Sequence, residues 1–164
     1  MIFVTVGTHE QPFTRLVEYM DKWAETHDEE VLIQTGFTPY VPKHCAWQKL
    51  FPQKEIYELN KKARVVITHG GPSCYIDVLR INKIPIVVPR QHRFDEHIDD
   101  HQLVIGREFK TRNNNIILVE DIEKLGDVLD RYDELADSMK DNKFVPHSRE
   151  FCDDLTKIID QLFS

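Results

Sequence analysis

Cysteine is scarce in this 164-residue chain, and the 3 that occur, Cys45, Cys74 and Cys152, show neither C-x-x-C spacing nor an even count. A disulfide framework and a thiolate zinc site are therefore not expected, and a reducing cytosol fits best. No apolar run approaches the roughly 20 residues that cross a bilayer. The N-terminus begins directly with strand-like residues, without a basic segment followed by a long apolar stretch, so no signal peptide is expected. Basic charge is also short: 21 Lys and Arg against 28 Asp and Glu leave a formal net charge of −7. That balance argues against a general nucleic-acid binder, whose affinity rests on cationic contacts to phosphate, and it is compatible with a local basic pocket. Glycines number only 6, and none sits in a G-x-G-x-x-G or Walker pattern, so neither a dinucleotide fingerprint nor a P-loop is supported. Repeats, low-complexity tracts and a second domain are missing as well.

What is present is a soluble globular composition, 41% hydrophobic and 30% charged, in a single domain spanning 1–164 that is long enough to bury a real core. Its organising stretch is 65–102. Val65-Val66-Ile67-Thr68 suits a strand buried on both faces. Gly70 and Gly71 follow, permitting a sharp turn and a close ligand approach, and Ser73 stands where a helix begins and leaves its first amides unpaired. Such a helix end attracts phosphate. Residues 84–88 form the next buried strand, and the polar loop 90–101 starts at the sheet edge where ligands of open parallel sheets collect.

The remainder alternates in the same way. Residues 2–6 form a strand ending in Gly7-Thr8-His9-Glu10, with Pro12 at a helix start and Phe13, Leu16, Val17 and Met20 facing the core through about His27. Residues 31–35 form a strand closed by Gly36. Residues 37–45 read as a loop, 46–51 as a weak strand, and 52–62 as a helix with Ile56 and Leu59 inward. A helix over 97–107 would bury Ile98, Val104 and Ile105. Asn113 to Asn115 turn the chain into a strand at 116–119. One helix over 122–137 follows, with Leu125, Val128, Leu129 and Leu135 on its apolar side. A last amphipathic helix is expected over 148–163. Strands alternating with helices imply an α/β fold, a Rossmann-like open parallel sheet with helices on both faces. A flavodoxin-like domain differs only in strand order, and both place a site at the same edge.

Several chemistries compete at that edge. The two glycine turns could aim amides at phosphates or serve only as turns. His92, Asp95, His97 and His101 raise a metal hypothesis, because His97 and His101 are four apart and would share a helical face. The zincin pattern, however, needs Glu where Ile98 stands, and solvated charges or hydrogen bonds to a polar ligand are the alternatives. Asp77 suits either a ribose or plain solvent. Cys74 reads as a small apolar residue, and Ser73 lacks the G-x-S-x-G setting of a nucleophile.

Taken together, Thr68-His69-Gly70-Gly71, Asp77-Val78-Leu79, Ile84-Pro85-Ile86-Val87-Val88-Pro89 and Asp99-Asp100-His101-Gln102 resemble the C-terminal, donor-binding half of family 28 glycosyltransferases. Phe3-Val4-Thr5-Val6-Gly7-Thr8 resembles the first strand and turn of that half. Within the family, residues 3–10 and 83–91 are most similar to short subunits of two-component transferases that build bacterial capsular or exopolysaccharide repeat units. A similar small subunit occurs in the eukaryotic enzyme that adds the second N-acetylglucosamine to a dolichol-linked sugar. The resemblance implies a GT-B half-domain. Gly7, Thr8, Gly70, Gly71 and Ser73 would cradle the diphosphate of a UDP-sugar, and Asp77, where the family usually has Glu, would hold the ribose. His101 and Gln102 would meet the donor sugar's hydroxyls, and backbone near Val88 to Arg90 would read the base. Pro72-Ser73 stand where the family often has a small residue and another glycine, and one extra residue separates Asp77 from Pro85.

The implied reaction is an inverting displacement with no metal and no cofactor beyond the donor, the departing diphosphate being stabilised by amides and a helix N-terminus. Arg90 or Arg93 would add a cation. Glu10, or His9 beside it, is the candidate general base. The acceptor would come from a membrane-anchored partner subunit presenting a polyprenyl-diphosphate-linked saccharide, which places the chain in the cytoplasm at the inner face of the membrane. The helix over 148–163 would dock there or pack on its own domain. A homo-oligomer is compatible with this reading. The alternatives are a non-catalytic nucleotide-sugar-binding regulatory or enhancer module and, disfavoured because it needs two full domains, a sugar-nucleotide epimerase.

Overall fold

The structure, a computed structural model, describes residues 1–142 and Phe144. The helix expected over 148–163 lies outside the described residues. Six strands form one sheet in the order β3-β2-β1-β4-β5-β6: β1 (Ile2–Thr5), β2 (Val31–Gln34), β3 (Ala46–Gln48), β4 (Val65–His69), β5 (Ile86–Val88) and β6 (Ile117–Leu118). Every pairing is parallel, Ile2 facing Val31 on one side and Val65 on the other. This is the doubly wound Rossmann order, which settles the choice against the flavodoxin-like arrangement.

Alternation along the strands decides which helix covers which face. Val4, Ile67 and Val88 point to the side covered by α1 (Thr14–Glu25), where Leu16, Val17 and Met20 complete a buried cluster. On the opposite face, Phe3 and Val66 meet Val78 of α3 (Pro72–Leu79) and the half-buried Ile56 and Leu59 of α2 (Gln53–Lys62). Val87 and Ile116 close a third cluster with Tyr75 of α3 and Phe109 of α4 (His101–Asn113). Full burial of such a side chain contributes roughly 1.5–3 kcal/mol, so these strands are held by both faces at once.

Two expected helices differ from those observed. The helix expected at residue 97 starts at His101, because a 3-10 turn over His92–Phe94 ends in Asp95 at φ 55°. The Asp99 carboxylate then accepts the His101 amide, and that of Asp100 accepts the His92 amide, so local side-chain bonds displace the extra turn. The α4 face turned inward carries Gln102 and Gly106, whereas Ile98 is 75% and Val104 58% exposed, with Ile105 exposed as well. The apolar residues expected in the core are thus on the surface. The single helix expected over 122–137 is a 3-10 turn at Ile122–Lys124 followed by α5 (Leu125–Asp130) and α6 (Tyr132–Met139). It breaks where Tyr132 turns inward to donate its hydroxyl to the Ile84 carbonyl at 2.7 Å.

Candidate functional site

Strand order reverses between β1 and β4, and the turns that leave their carboxyl ends diverge around a cavity of about 650 Å³. A crevice at this point is where open α/β sheets hold their ligands, and the volume is that of a small-molecule site. The first turn contributes Gly7, Thr8, His9 and Glu10 to its wall, and α3 contributes Ser73 and Asp77.

The floor is His69, the last residue of β4. A Cβ on Gly71 would stand 2.5 Å from its Nε2, and one on Gly7, whose φ is 75°, would be closer still to its ring. Only glycine on both turns lets them close over the imidazole. Burial first, and the Arg90 charge second, push the pKa of His69 down to about 4, against a small opposing effect of the Thr5 backbone, so the ring is neutral at pH 7. In the sequence His69 carries no role of its own; its place directly between a strand and a glycine pair is the signal for one. Gln34 is a second residue that pattern reading passed over. Its buried amide donates to Thr5 Oγ1 at 3.1 Å and to the Gly7 carbonyl at 3.2 Å, fixing the first turn from below.

At α3, Pro72 has no N–H and Cys74 donates its amide to the Gly71 carbonyl at 3.1 Å, so among the described residues the Ser73 amide is left without an acceptor at the cavity. Asp77 lines the same wall, one carboxylate oxygen held by Arg80 at 3.1 Å. Burial holds the Cys74 thiol above its usual range, in keeping with a packing role. Gln102 reaches the cavity from α4, and its Oε1 accepts the Arg90 amide at 3.2 Å. That bond fixes the side-chain amide so that its NH₂ is the free end. Gly70 packs so tightly on Gln102 that an added Cβ would sit 2.7 Å from the glutamine Cβ.

The two candidate bases separate on tautomer. His9 accepts the Gln11 amide on Nδ1 at 3.2 Å, which puts the proton of the neutral ring on Nε2 and leaves no free lone pair there. Glu10 is exposed at the cavity wall and has no such commitment.

Arg90, His101 and the expected phosphate cradle Gly70-Gly71 do not line the cavity: the glycine pair lies behind it, packed on Gln102 and His69. Arg90 is fully buried, and its guanidinium donates to the carbonyls of Gln11, Pro12, Glu96 and Val6 at 2.8–3.2 Å. Burial lowers its pKa to about 10, which leaves it cationic at neutral pH. It joins the loop after β1 to the loop after β5, and Arg15 reinforces the junction through a two-pronged pair with Glu96 at 2.8 and 2.9 Å. His101 is half exposed beside the cavity, bonded through Nδ1 to Asp99, which also lies 3.3 Å from Nδ1 of His97. His97 precedes the helix, so this pair does not share a helical face as expected, yet the loop brings the rings to 4.5 Å between centroids.

A Rossmann-ordered sheet whose first glycine turn and one helix N-terminus face a single cavity defines the chain as a ligand-binding α/β domain. The chain belongs to the family described as the glycosyltransferase family 28 C-terminal domain, which it matches over residues 1–154. Among solved structures it is similar to the glycosyltransferase SnogD from Streptomyces nogalater, at 17% identity and TM-score 0.60, covering 86% of this chain and 38% of that one. It is also similar to MurG from Acinetobacter baumannii, at 14% identity and TM-score 0.60, covering 93% of this chain and 48% of that one. The chain thus spans less than half the length of either structure, and the likeness is one of fold: a Rossmann-like GT-B C-terminal domain. No curated protein matches the sequence.

Proposed function

We propose that the cavity binds a UDP-sugar and that the chain is the donor-side part of an inverting glycosyltransferase. The observation that carries this reading is the meeting of the Gly7-Thr8 turn, the N-terminus of α3 at Ser73 and a neutral His69 around one cavity in a member of a glycosyltransferase family. The diphosphate would lie against the Ser73 amide and the glycine turn at Gly7-Thr8. Asp77 would accept ribose hydroxyls, and the free Gln102 amide would meet the sugar, with His101 completing that side by rotation from Asp99.

In the reaction, the acceptor hydroxyl attacks the anomeric carbon, that new bond replaces the bond to UDP, and the hydroxyl proton passes to Glu10. The electron pair leaves with the diphosphate, whose growing charge the Ser73 amide and the positive end of α3 stabilise without a metal or any other cofactor. His69, neutral at pH 7, would form the floor under the diphosphate without adding charge.

The acceptor, a polyprenyl-diphosphate-linked saccharide of a capsular or exopolysaccharide pathway, would be presented by a membrane-associated partner subunit. What supports a partner is that each structural relative has more than half its length outside the matched region. No helix among the described residues is long and apolar enough to cross a membrane, so the partner would hold this cytoplasmic chain at the inner face.

Calorimetric titration of UDP and a panel of UDP-sugars, with and without EDTA, tests the donor reading. Saturable, EDTA-insensitive binding that Asp77→Ala weakens is expected; a flat titration with every UDP-sugar, with the partner present as well, would overturn it. Sugar transfer that appears only on mixing with the partner and is lost in Gln102→Ala separates an enzyme from a non-catalytic nucleotide-sugar-binding module.

A further inference from the structure

Beside the cavity, the sequence His97-Ile98-Asp99-Asp100-His101 places two imidazoles and a carboxylate around one point. The ligand-capable atoms of His97, Asp99 and His101 lie within 4.8 Å of one another, and the pair His97 Nδ1 and Asp99 Oδ1 is already at 3.3 Å. Metal bonds of about 2.0–2.1 Å put neighbouring tetrahedral ligands about 3.4 Å apart, so the group closes on a cation by side-chain rotation alone. The His97 side chain is only 7% exposed, and its Nδ1 faces the Asp99 carboxylate without a well-aligned hydrogen bond. A cation between the two would bond both atoms at once, in a pocket where a poorly paired polar atom costs free energy.

The surroundings hold these residues in place without the cation. Nδ1 of His92 is 3.2 Å from the His97 carbonyl, the His92 amide donates to Asp100, and the His9 ring packs on His97 with centroids 5.0 Å apart. His9 itself is not a ligand, since its Nδ1 is taken by the Gln11 amide. On the open side, Asp99 and His101 are exposed, which gives a cation its entry path and leaves coordination positions to water.

We propose that His97, Asp99 and His101 form a binding site for a borderline divalent transition cation, of which Zn²⁺ is the representative. Two imidazoles and one carboxylate match the nitrogen and oxygen preference of that class and do not match Ca²⁺ or Mg²⁺, which take oxygen ligands. The cation would pin the start of α4 next to Gln102. The site does not depend on the sugar-nucleotide reading, but it shares His101 with it, so a bound cation would hold that ring at Asp99 and away from the donor sugar.

The test is titration of the full chain with Zn²⁺ by calorimetry and with Co²⁺ by visible absorption, in the absence of any nucleotide. About one equivalent, with the intense visible bands of a low-coordinate Co²⁺ site, is expected, weakened roughly tenfold or more in both His101→Ala and Asp99→Asn. Both substitutions are at exposed side chains, so they test the site without disturbing the buried His97. His27→Ala and His44→Ala, at exposed histidines elsewhere, are expected to bind as the parent does. No saturable binding at millimolar Zn²⁺, or binding that survives in both site variants or is lost in the two controls, overturns the proposal.

Discussion

Replacing Arg90 by Met is the perturbation that most directly distinguishes a scaffold cation from a ligand cation. Its guanidinium is fully buried and donates to the carbonyls of Gln11 at 2.8 Å, Pro12 at 3.0 Å, Glu96 at 3.2 Å and Val6 at 3.0 Å. At a net value of about 1 kcal/mol for each hydrogen bond, losing all of them costs about 4 kcal/mol. Removing a buried cation returns part of its desolvation penalty, and methionine refills most of the volume beside Phe13. The expected net loss is therefore about 2–4 kcal/mol, a large share of the 5–15 kcal/mol of a typical domain. Arg90→Lys should fall between parent and Met, because a single ammonium cannot reach every carbonyl of a planar fork. Urea unfolding followed by circular dichroism, with ΔG from linear extrapolation and an unchanged slope, measures this. Unfolding within about 0.5 kcal/mol of the parent, accompanied by lost UDP binding, would refute the scaffold role and return Arg90 to the ligand.

His69 titrates at about 4 in the fold against about 6.5 when unfolded. Between those values the unfolded chain binds more protons, so its contribution is full above pH 6.5 and is lost as pH falls towards 4, by about 3 kcal/mol. Urea midpoints at pH 7.5 and 4.5 should differ more in the parent than in His69→Gln; equal differences would contradict it. Gly7→Ala forces a Cβ into the His69 ring at φ 75° and should cost about 1–3 kcal/mol and weaken UDP binding, read by thermal unfolding and calorimetry; unchanged values would count against the tight closure. Asp21 should prove structural. Burial would raise its carboxyl, but the His44 and Lys43 amides and the Tyr40 hydroxyl hold it below its usual range. Asp21→Ala should lose about 1–3 kcal/mol of stability in urea while the folded variant keeps UDP binding; stability equal to the parent would contradict the tether.

The parallel α/β architecture was legible because buried strands such as Val65-Val66-Ile67 read as continuous apolar runs, and β1, β2 and β4 run into turns at Gly7, Gly36 and Gly70 where a side chain would collide with its neighbours. Strand order was not, since a crossover that adds a strand to the left of β1 leaves the same local pattern as one that adds it to the right; β4 pairing with β1 separates the two orders. Arg90 shows a different limit. An arginine just past a strand at a sheet edge is indistinguishable, in one dimension, from a cation aimed at a ligand. Its direction is set by carbonyls of Val6, Gln11 and Pro12, distant in sequence, which converge only when the first turn folds over β5. The face of α4 failed for a related reason. Apolar spacing favoured Ile98, Val104 and Ile105, but the helix must pass close to β6, where Gly106 lets Leu118 approach to 3.1 Å of a would-be Cβ, and must deliver Gln102 to the cavity. Those two demands are i, i+4 and set the helix rotation, so burial of a glutamine and a glycine leaves Val104 and Ile105 facing outwards, while Ile98 lies in the loop before the helix. Where an apolar stripe and a site residue compete for one helical face, the positions on either side of the site residue that accept close backbone approach are the better guide to its orientation.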